Sequence, residues 1–474
     1  MIALPRRVGW IAVVVGLFAM LMQLPFLGTA PLTGTEAHRA VTAHQMVASN
    51  QYLVPMLYGR VYLRKPPLQY WVLAGVEKVT GVRGEWAWRV PSALFLGLTA
   101  AAVALAAGRW WSPRAAWIGG LLVAGMVAIW AQSRSCDIDA LNTLLTTATA
   151  LLWIELLRRD RACIPGAIST GVLLAGVLAA KGPAGLPVIV GVVLAGWVRS
   201  RFAWRYVLRP VVWLPTLIGT ALAGALAAAI YWALISRGLP LDFSGINEGV
   251  RNLYETQLSK LVEVFLLVPQ LLVFSLPGSI FLVIIVLKWR EMDDTTRLAA
   301  GSVILGWAVC VLTGMVNPRY AYPTLPMLGA AVAGTAAAVL DQKHLYARAT
   351  VTWAVIIALL AAPLAWLNVK NRQSRSGFTA AATLRQIADG HATPTRPVLV
   401  FQMLRYQPEL LYYSGVPAQS LSENMPAPST FTPGTLILAS VEELAKLRKD
   451  RPLPPEVHGE LVSNGRKASL VEVR

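Results

Sequence analysis

Nine side chains have the types and settings for chemistry on a phosphate-bearing substrate: the acids Glu36, Asp137 and Asp139, the cations Lys65, Lys181, Arg134 and Arg319, and the tyrosines Tyr62 and Tyr322. Cations neutralise a departing phosphate, and a carboxylate orients or deprotonates the acceptor that replaces it. Each residue also has a plainer reading. Glu36 opens a stretch with Ala37, Ala40, Val41 and Ala48 at helical spacing, where an acid in the first turn is favoured by the helix dipole. Lys65 precedes Pro66 and Pro67, whose rings fix the backbone and aim the amine, although a lysine beside a helix start also snorkels. Arg134, Asp137 and Asp139 stand at the mouth of a helical hairpin, where an internal ion pair closing the turn is the alternative to a functional acid at the membrane boundary.

Lys181-Gly182-Pro183 interrupts an apolar stretch running from Val172 to Trp197. A turn needs only the Gly-Pro. The lysine has no acid near it in sequence, which points to an anionic partner such as a phosphate or lipid headgroup. Arg319 and Tyr322 fall in Asn317-Pro318-Arg319-Tyr320-Ala321-Tyr322-Pro323, although tyrosine also belongs to the ordinary interfacial belt. The five histidines and three cysteines have no ligand spacing. No dedicated metal site and no cofactor are expected, and a divalent cation accompanying a substrate stays open.

The elements that must position these residues are membrane spans. Of 474 residues 56% are apolar and 14% charged, against about a quarter charged in soluble domains. Apolar windows of about 20 residues recur, each long enough to cross the hydrocarbon core, and they count to about eleven. The fold class is therefore a polytopic α-helical membrane protein. The net charge of +18 lies in short loops such as Arg199, Arg201, Arg205 and Arg209. That is a topology signal and excludes a nucleic-acid partner. It puts the N-terminus inside and all nine residues on the outer face, together with the 28–87 segment and a longer 237–261 loop. Residues 1–370 form the membrane domain. From 371 to 474 no spanning run occurs. Strands at 397–401 and 435–439 with helices at 378–388 and 441–447 predict a small C-terminal α/β domain outside the membrane.

Taken in order, the motifs resemble a known family. Glu36, Leu-Val-Pro-Met-Leu-Tyr-Gly (53–59), Tyr62, Lys-Pro-Pro-Leu-Gln-Tyr-Trp (65–71), the Arg/Asp hairpin, Lys-Gly-Pro and the late Arg-Tyr-x-Tyr-Pro are similar to the GT-C membrane glycosyltransferases, in the ArnT-like (aminoarabinose transferase) and protein mannosyltransferase group. The resemblance covers about residues 8–345. It implies a polyprenyl-phosphate sugar donor and a lipid or protein acceptor at the outer face of a bacterial inner membrane. It implies that Lys65 and Lys181 hold the donor phosphate, with Arg319 and Tyr322 nearby, and that Asp139 rather than Asp137 matches the acid of the second outer loop. One departure stands out: the family opens its first loop with Asp-Glu, and this chain has Thr35-Glu36. Glu36 takes the catalytic role, or Asp139 does, or the chain binds lipid-linked sugar without turnover. A transporter is the third reading, disfavoured because the charges gather at one surface rather than at mid-membrane depth.

Overall fold

The computed structural model describes residues 6–32, 35–159, 163–239, 258–315, 317–339, 343–373, 378–389, 392–400, 408–420, 434–440, 457–463 and 466–472. The chain divides into two compact units. The first comprises residues 1–27, 63–69 and 89–365; the second comprises 28–62, 70–88 and 366–474. Compactness thus groups most of the first long polar segment with the C-terminal tail rather than with the spans that flank it in sequence.

The first ten helices are α1 (Arg6–Leu21), α2 (Thr35–Ser49), α3 (Leu68–Thr80), α4 (Glu85–Trp110), α5 (Pro113–Gly125), α6 (Val127–Ser133), α7 (Asp139–Arg159), α8 (Ile164–Lys181), α9 (Leu186–Arg199) and α10 (Pro210–Ser236). Among the described residues six helical runs are long and apolar enough to cross a membrane, or eight if each of two bent pairs is one span. This differs from the eleven windows of the sequence for reasons of length. Helix α1 has 16 residues and the late helix Leu325–Val339 has 15. The run Ile164–Arg199, counted once, holds two legs, α8 and α9, joined by a turn at Gly182.

Those two legs lie side by side along α7. Gly166 faces Leu156 and Gly176 faces Leu145, so α8 descends antiparallel to α7. Gly185 faces Asn142 and Thr146, and Gly196 faces Leu157, so α9 climbs back. The reversal needs Gly182, whose backbone at φ 65°, ψ −138° suits a residue without a Cβ. Close packing continues beyond: a Cβ on Gly191 would lie 2.4 Å from the Ser302 carbonyl oxygen, so only glycine lets α9 approach helix Asp294–Leu312 this closely. The core of this unit includes Val15, Leu96, Trp153, Val188, Leu298 and Leu328. By contrast α10 is only 17% buried across its apolar window, with Trp213, Leu217, Leu222 and Trp232 outward, as a lipid-facing helix requires.

In the second unit β1 (Met56–Leu57) and β2 (Arg60–Val61) make a short hairpin. Where the sequence predicted strands at 397–401 and 435–439, β3 (Val398–Val400) and β5 (Leu436–Ser440) run. They belong to a five-stranded sheet with β4 (Ala418–Ser420), β6 (Val457–Ser463) and β7 (Arg466–Glu472), in the order β4-β3-β5-β7-β6. The β4-β3-β5 half is parallel and the rest antiparallel. Val41, Leu57 and Tyr58 share one core with Leu384, Val398, Leu438 and Leu470. The helix expected at 441–447 and most of the 237–261 loop lie outside the described residues.

Candidate functional site

The centre of the site in the first unit is where α7 begins and α8 ends. Asp139 lies in the first turn of α7, and Lys181 is the last residue of α8. The hairpin brings them together, and the Lys181 ammonium donates to Asp139 Oδ1. Both are buried, at 8% and 7% exposure. Each charge also suits its helix end, acid at an N-terminus and cation at a C-terminus. The sequence shows no acid near Lys181 and pointed to an external anion, whereas the structure pairs it with Asp139. Its partner stands 42 positions away in sequence, and local reading could not find it.

Asp137 sits beside this pair in sequence but is held differently. Its Oδ1 accepts the Ile138 backbone N–H at 2.8 Å, and its Oδ2 lies 3.9 Å from the Arg319 guanidinium. Arg134 has a structural use: Nη1 donates to the Gln23 carbonyl at 2.6 Å and Nη2 to the Pro25 carbonyl at 2.8 Å. Its guanidinium also lies 5.2 Å from the Trp130 ring centre. Buried carbonyls past the end of α1 need donors, and this side chain supplies two.

Lys65 and Lys181 line one cavity of about 410 Å³, together with Arg64. Pro66 and Pro67 form part of its rim. Most of the remaining wall is apolar: Leu178, Leu226, Ile230, Leu234 and Met315. The α10 side of that wall, Ala223, Leu226, Ala227, Ile230 and Leu234, follows a three- and four-residue spacing, so one helical stripe builds it. The opposing corner holds Tyr320, with the Lys181 ammonium 5.5 Å from its ring centre. Sequence reasoning chose Tyr322 from this motif. The residue lining the cavity is Tyr320, while the Tyr322 ring packs edge-on to Phe274 at 5.5 Å. Arg64 and the α10 stripe were also missed. Arg64 had the signal of standing next to Lys65; the α10 stripe looks in sequence like any lipid-facing surface.

Glu36 and Tyr62 belong to the second unit. Glu36 is 2% exposed in the first turn of α2. Tyr62 lies 5.7 Å from the His38 ring and 6.5 Å from Tyr70, whose hydroxyl accepts from Arg39 at 2.7 Å. Thus Lys65, Lys181, Asp139, Asp137 and Arg319 gather in the first unit, and Glu36 with Tyr62 in the second.

A cavity lined by three cations and a largely hydrocarbon wall fits an amphiphile with an anionic head. Comparison with known proteins agrees with that chemistry. The model of the dolichyl-phosphate-mannose-protein mannosyltransferase family matches residues 64–232, which include Lys65, Asp139, Lys181 and the α10 stripe as far as Ile230. Over its full length the chain superposes on ArnT from Cupriavidus metallidurans bound to undecaprenyl phosphate, with a TM-score of 0.75 at 16% identity, covering 98% of each chain. The chain has the fold of the ArnT structures. A curated relative, the undecaprenyl phosphate-alpha-4-amino-4-deoxy-L-arabinose arabinosyl transferase of Pseudomonas savastanoi pv. phaseolicola, is 30% identical over 148 residues. That stretch is 31% of this chain and spans 27% of the relative's length. The archaeal oligosaccharyltransferase AglB of Archaeoglobus fulgidus, in complex with an inhibitory peptide and a dolichol-phosphate, shares the fold more loosely. Its TM-score is 0.54 at 14% identity, covering 86% of this chain and 64% of that one.

Proposed function

We propose that this ArnT-like chain is a glycosyltransferase that moves a sugar from a polyprenyl-phosphate donor to a lipid or protein acceptor at the outer face of the bacterial inner membrane. The single observation that carries the reading is the cavity with Arg64, Lys65 and Lys181 set against the apolar stripe of α10. The bound undecaprenyl phosphate of the Cupriavidus protein and the dolichol-phosphate of AglB support the same donor class. In this reading about eleven spans cross the bilayer, the N-terminus is inside, and the C-terminal α/β domain is outside. No metal is given a role.

The reaction is one displacement with inversion. The acceptor oxygen forms a bond to the anomeric carbon while the bond from that carbon to the phosphate oxygen breaks. The polyprenyl phosphate leaves with the electron pair and an added negative charge. Lys65, Lys181 and Arg319 stabilise that charge, and Tyr320 takes the aromatic position beside Lys181 that had been given to Tyr322. Asp139, hydrogen-bonded to Lys181, fixes the ammonium in place, which is a positioning role. Asp137 faces the exposed Arg319 guanidinium at 3.9 Å, a looser ion pair that biases its position. The acceptor's proton goes to a carboxylate base, for which the sequence offers Glu36 as candidate.

Transfer from a radiolabelled polyprenyl-phosphate sugar tests this. Lys65→Ala and Lys181→Ala should each lower kcat/KM, measured per folded molecule, at least about a hundredfold, the scale of losing one charge-stabilising donor. Full activity in both variants removes the mechanism. The second reading, donor binding without turnover, is favoured by Thr35 where the family has an acid. Turnover absent from the natural chain and gained in Thr35→Asp would select it.

A further inference from the structure

At the end of α9 and α10 away from the cavity, a short segment joins the two helices. From Arg201 to Pro210 every residue is exposed except Tyr206. The stretch contains Arg201, Arg205 and Arg209, no acid, and the apolar residues Phe202, Trp204, Val207 and Leu208. Phe202, Trp204 and Leu208 are each more than 60% exposed. Exposed aromatic residues interleaved with arginines are costly in water and favourable at a lipid headgroup layer.

The segment is built rather than loose. Tyr206 is 4% exposed and donates to the Val193 carbonyl at 3.1 Å, in a slot that only Gly196 leaves open. The Phe202 N–H donates to the Trp197 carbonyl at 3.0 Å, and the two rings meet edge-on at 5.4 Å. The Trp213 indole donates to the Leu208 carbonyl at 3.2 Å, tying the segment to α10. Arg201 and Phe202 both adopt left-handed backbone, φ 55° and φ 60°, which non-glycine residues rarely take. Two such residues in succession cost energy, and strain of this kind persists where surrounding contacts impose it. Its effect here is to turn Phe202 and Trp204 outward together, with the Arg205 guanidinium 5.6 Å from the Trp204 ring centre. Arg199, by contrast, is taken up by Asp294 at 3.1 Å.

We infer that Arg201–Arg209 is a binding platform for anionic phospholipid headgroups of the leaflet opposite the cavity. Arg201 and Arg205 meet the phosphate, and Phe202, Trp204 and Leu208 enter the headgroup–acyl boundary. Exposed Val198 and Leu217 on the adjoining helices continue the apolar surface for the acyl chains. Because α9 leads back to the Lys181 turn and α10 forms the cavity wall, a lipid held here ties together the far ends of both. This inference stands without the proposed transferase activity, since its readout is lipid binding alone.

The test is native mass spectrometry of the full chain in detergent, titrated separately with phosphatidylglycerol, cardiolipin and phosphatidylcholine. The natural chain should retain both anionic lipids over phosphatidylcholine. Arg201→Gln/Arg205→Gln should bind them about 30-fold more weakly, from roughly a factor of five for each surface arginine. Arg6→Gln/Arg7→Gln, which removes equal charge elsewhere, should bind within about twofold of the natural chain. Trp204→Ala should weaken binding with no change of charge. Equal retention of phosphatidylcholine, or equal losses in the two double variants, overturns the inference.

Discussion

At the residue scale the decisive feature is that Lys181 is both a cavity cation and half of a buried pair. Removing one member of such a pair strands the other charge, at a cost of about 3–5 kcal/mol, whereas removing both with apolar replacements costs far less. Asp139→Asn should therefore lower thermal stability clearly, and Asp139→Leu/Lys181→Met should recover most of the loss while transfer stays absent. A double variant as unstable as the single would mean that the pair does not act as a unit. Arg134 offers a contrast. With both terminal nitrogens on carbonyls past the end of α1, Arg134→Gln should cost about 2 kcal/mol of stability, the worth of charged hydrogen bonds. Detergent melting curves measure this, and the KM for donor should stay within about twofold in whatever remains folded.

Elements decide where those residues stand. The reversal at Gly182 sets the Lys181 ammonium against Asp139, and its φ of 65° with ψ of −138° is open almost solely to glycine. Gly182→Ala should cost about 1–3 kcal/mol and lower donor affinity, although the space around the residue is free. In the second unit burial pushes the phenols of Tyr58 and Tyr413 well above their ordinary range. The unfolded chain therefore releases these protons first. Their contribution is whole below about pH 10 and lost as pH rises beyond it. Melting between pH 8 and 11 should show the decline. Tyr58→Phe should make it shallower and, because the Tyr58 hydroxyl is buried without a hydrogen-bond partner among the described atoms, raise stability at pH 8 by about 1 kcal/mol. A loss of stability at pH 8 would mean the hydroxyl is satisfied.

At the scale of the whole molecule, a helical frame carries a cation-lined, largely hydrocarbon-walled cavity in one unit, and a mixed five-stranded sheet packs with Val41, Leu57 and Tyr58 in the other. Much of the frame was readable in advance. Apolar runs mark spans, and the Lys181-Gly182-Pro183 break and the Lys65-Pro66-Pro67 turn announce themselves by composition. The pairing of Asp139 with Lys181 was not readable, because it depends on the direction in which α8 returns along α7. Nor was the choice of Tyr320 over Tyr322: two positions apart on helical backbone they point in nearly opposite directions, and the sequence does not say which of those directions faces the cavity. The α10 stripe was hidden for a third reason: alanine and leucine facing a bound lipid chain look like alanine and leucine facing the bilayer. The grouping of the first long polar segment with the tail joins pieces separated by the entire membrane frame.

That stripe offers the most direct measurement of the central claim. A polyprenyl phosphate carrying a photoreactive diazirine near its head should label residues 223–234 of α10. Excess unlabelled undecaprenyl phosphate should displace it, and Lys65→Met/Lys181→Met should abolish the label. Labelling spread over the other lipid-facing helices, or labelling of α10 that persists in the double variant, would contradict a cavity built to hold a lipid phosphate.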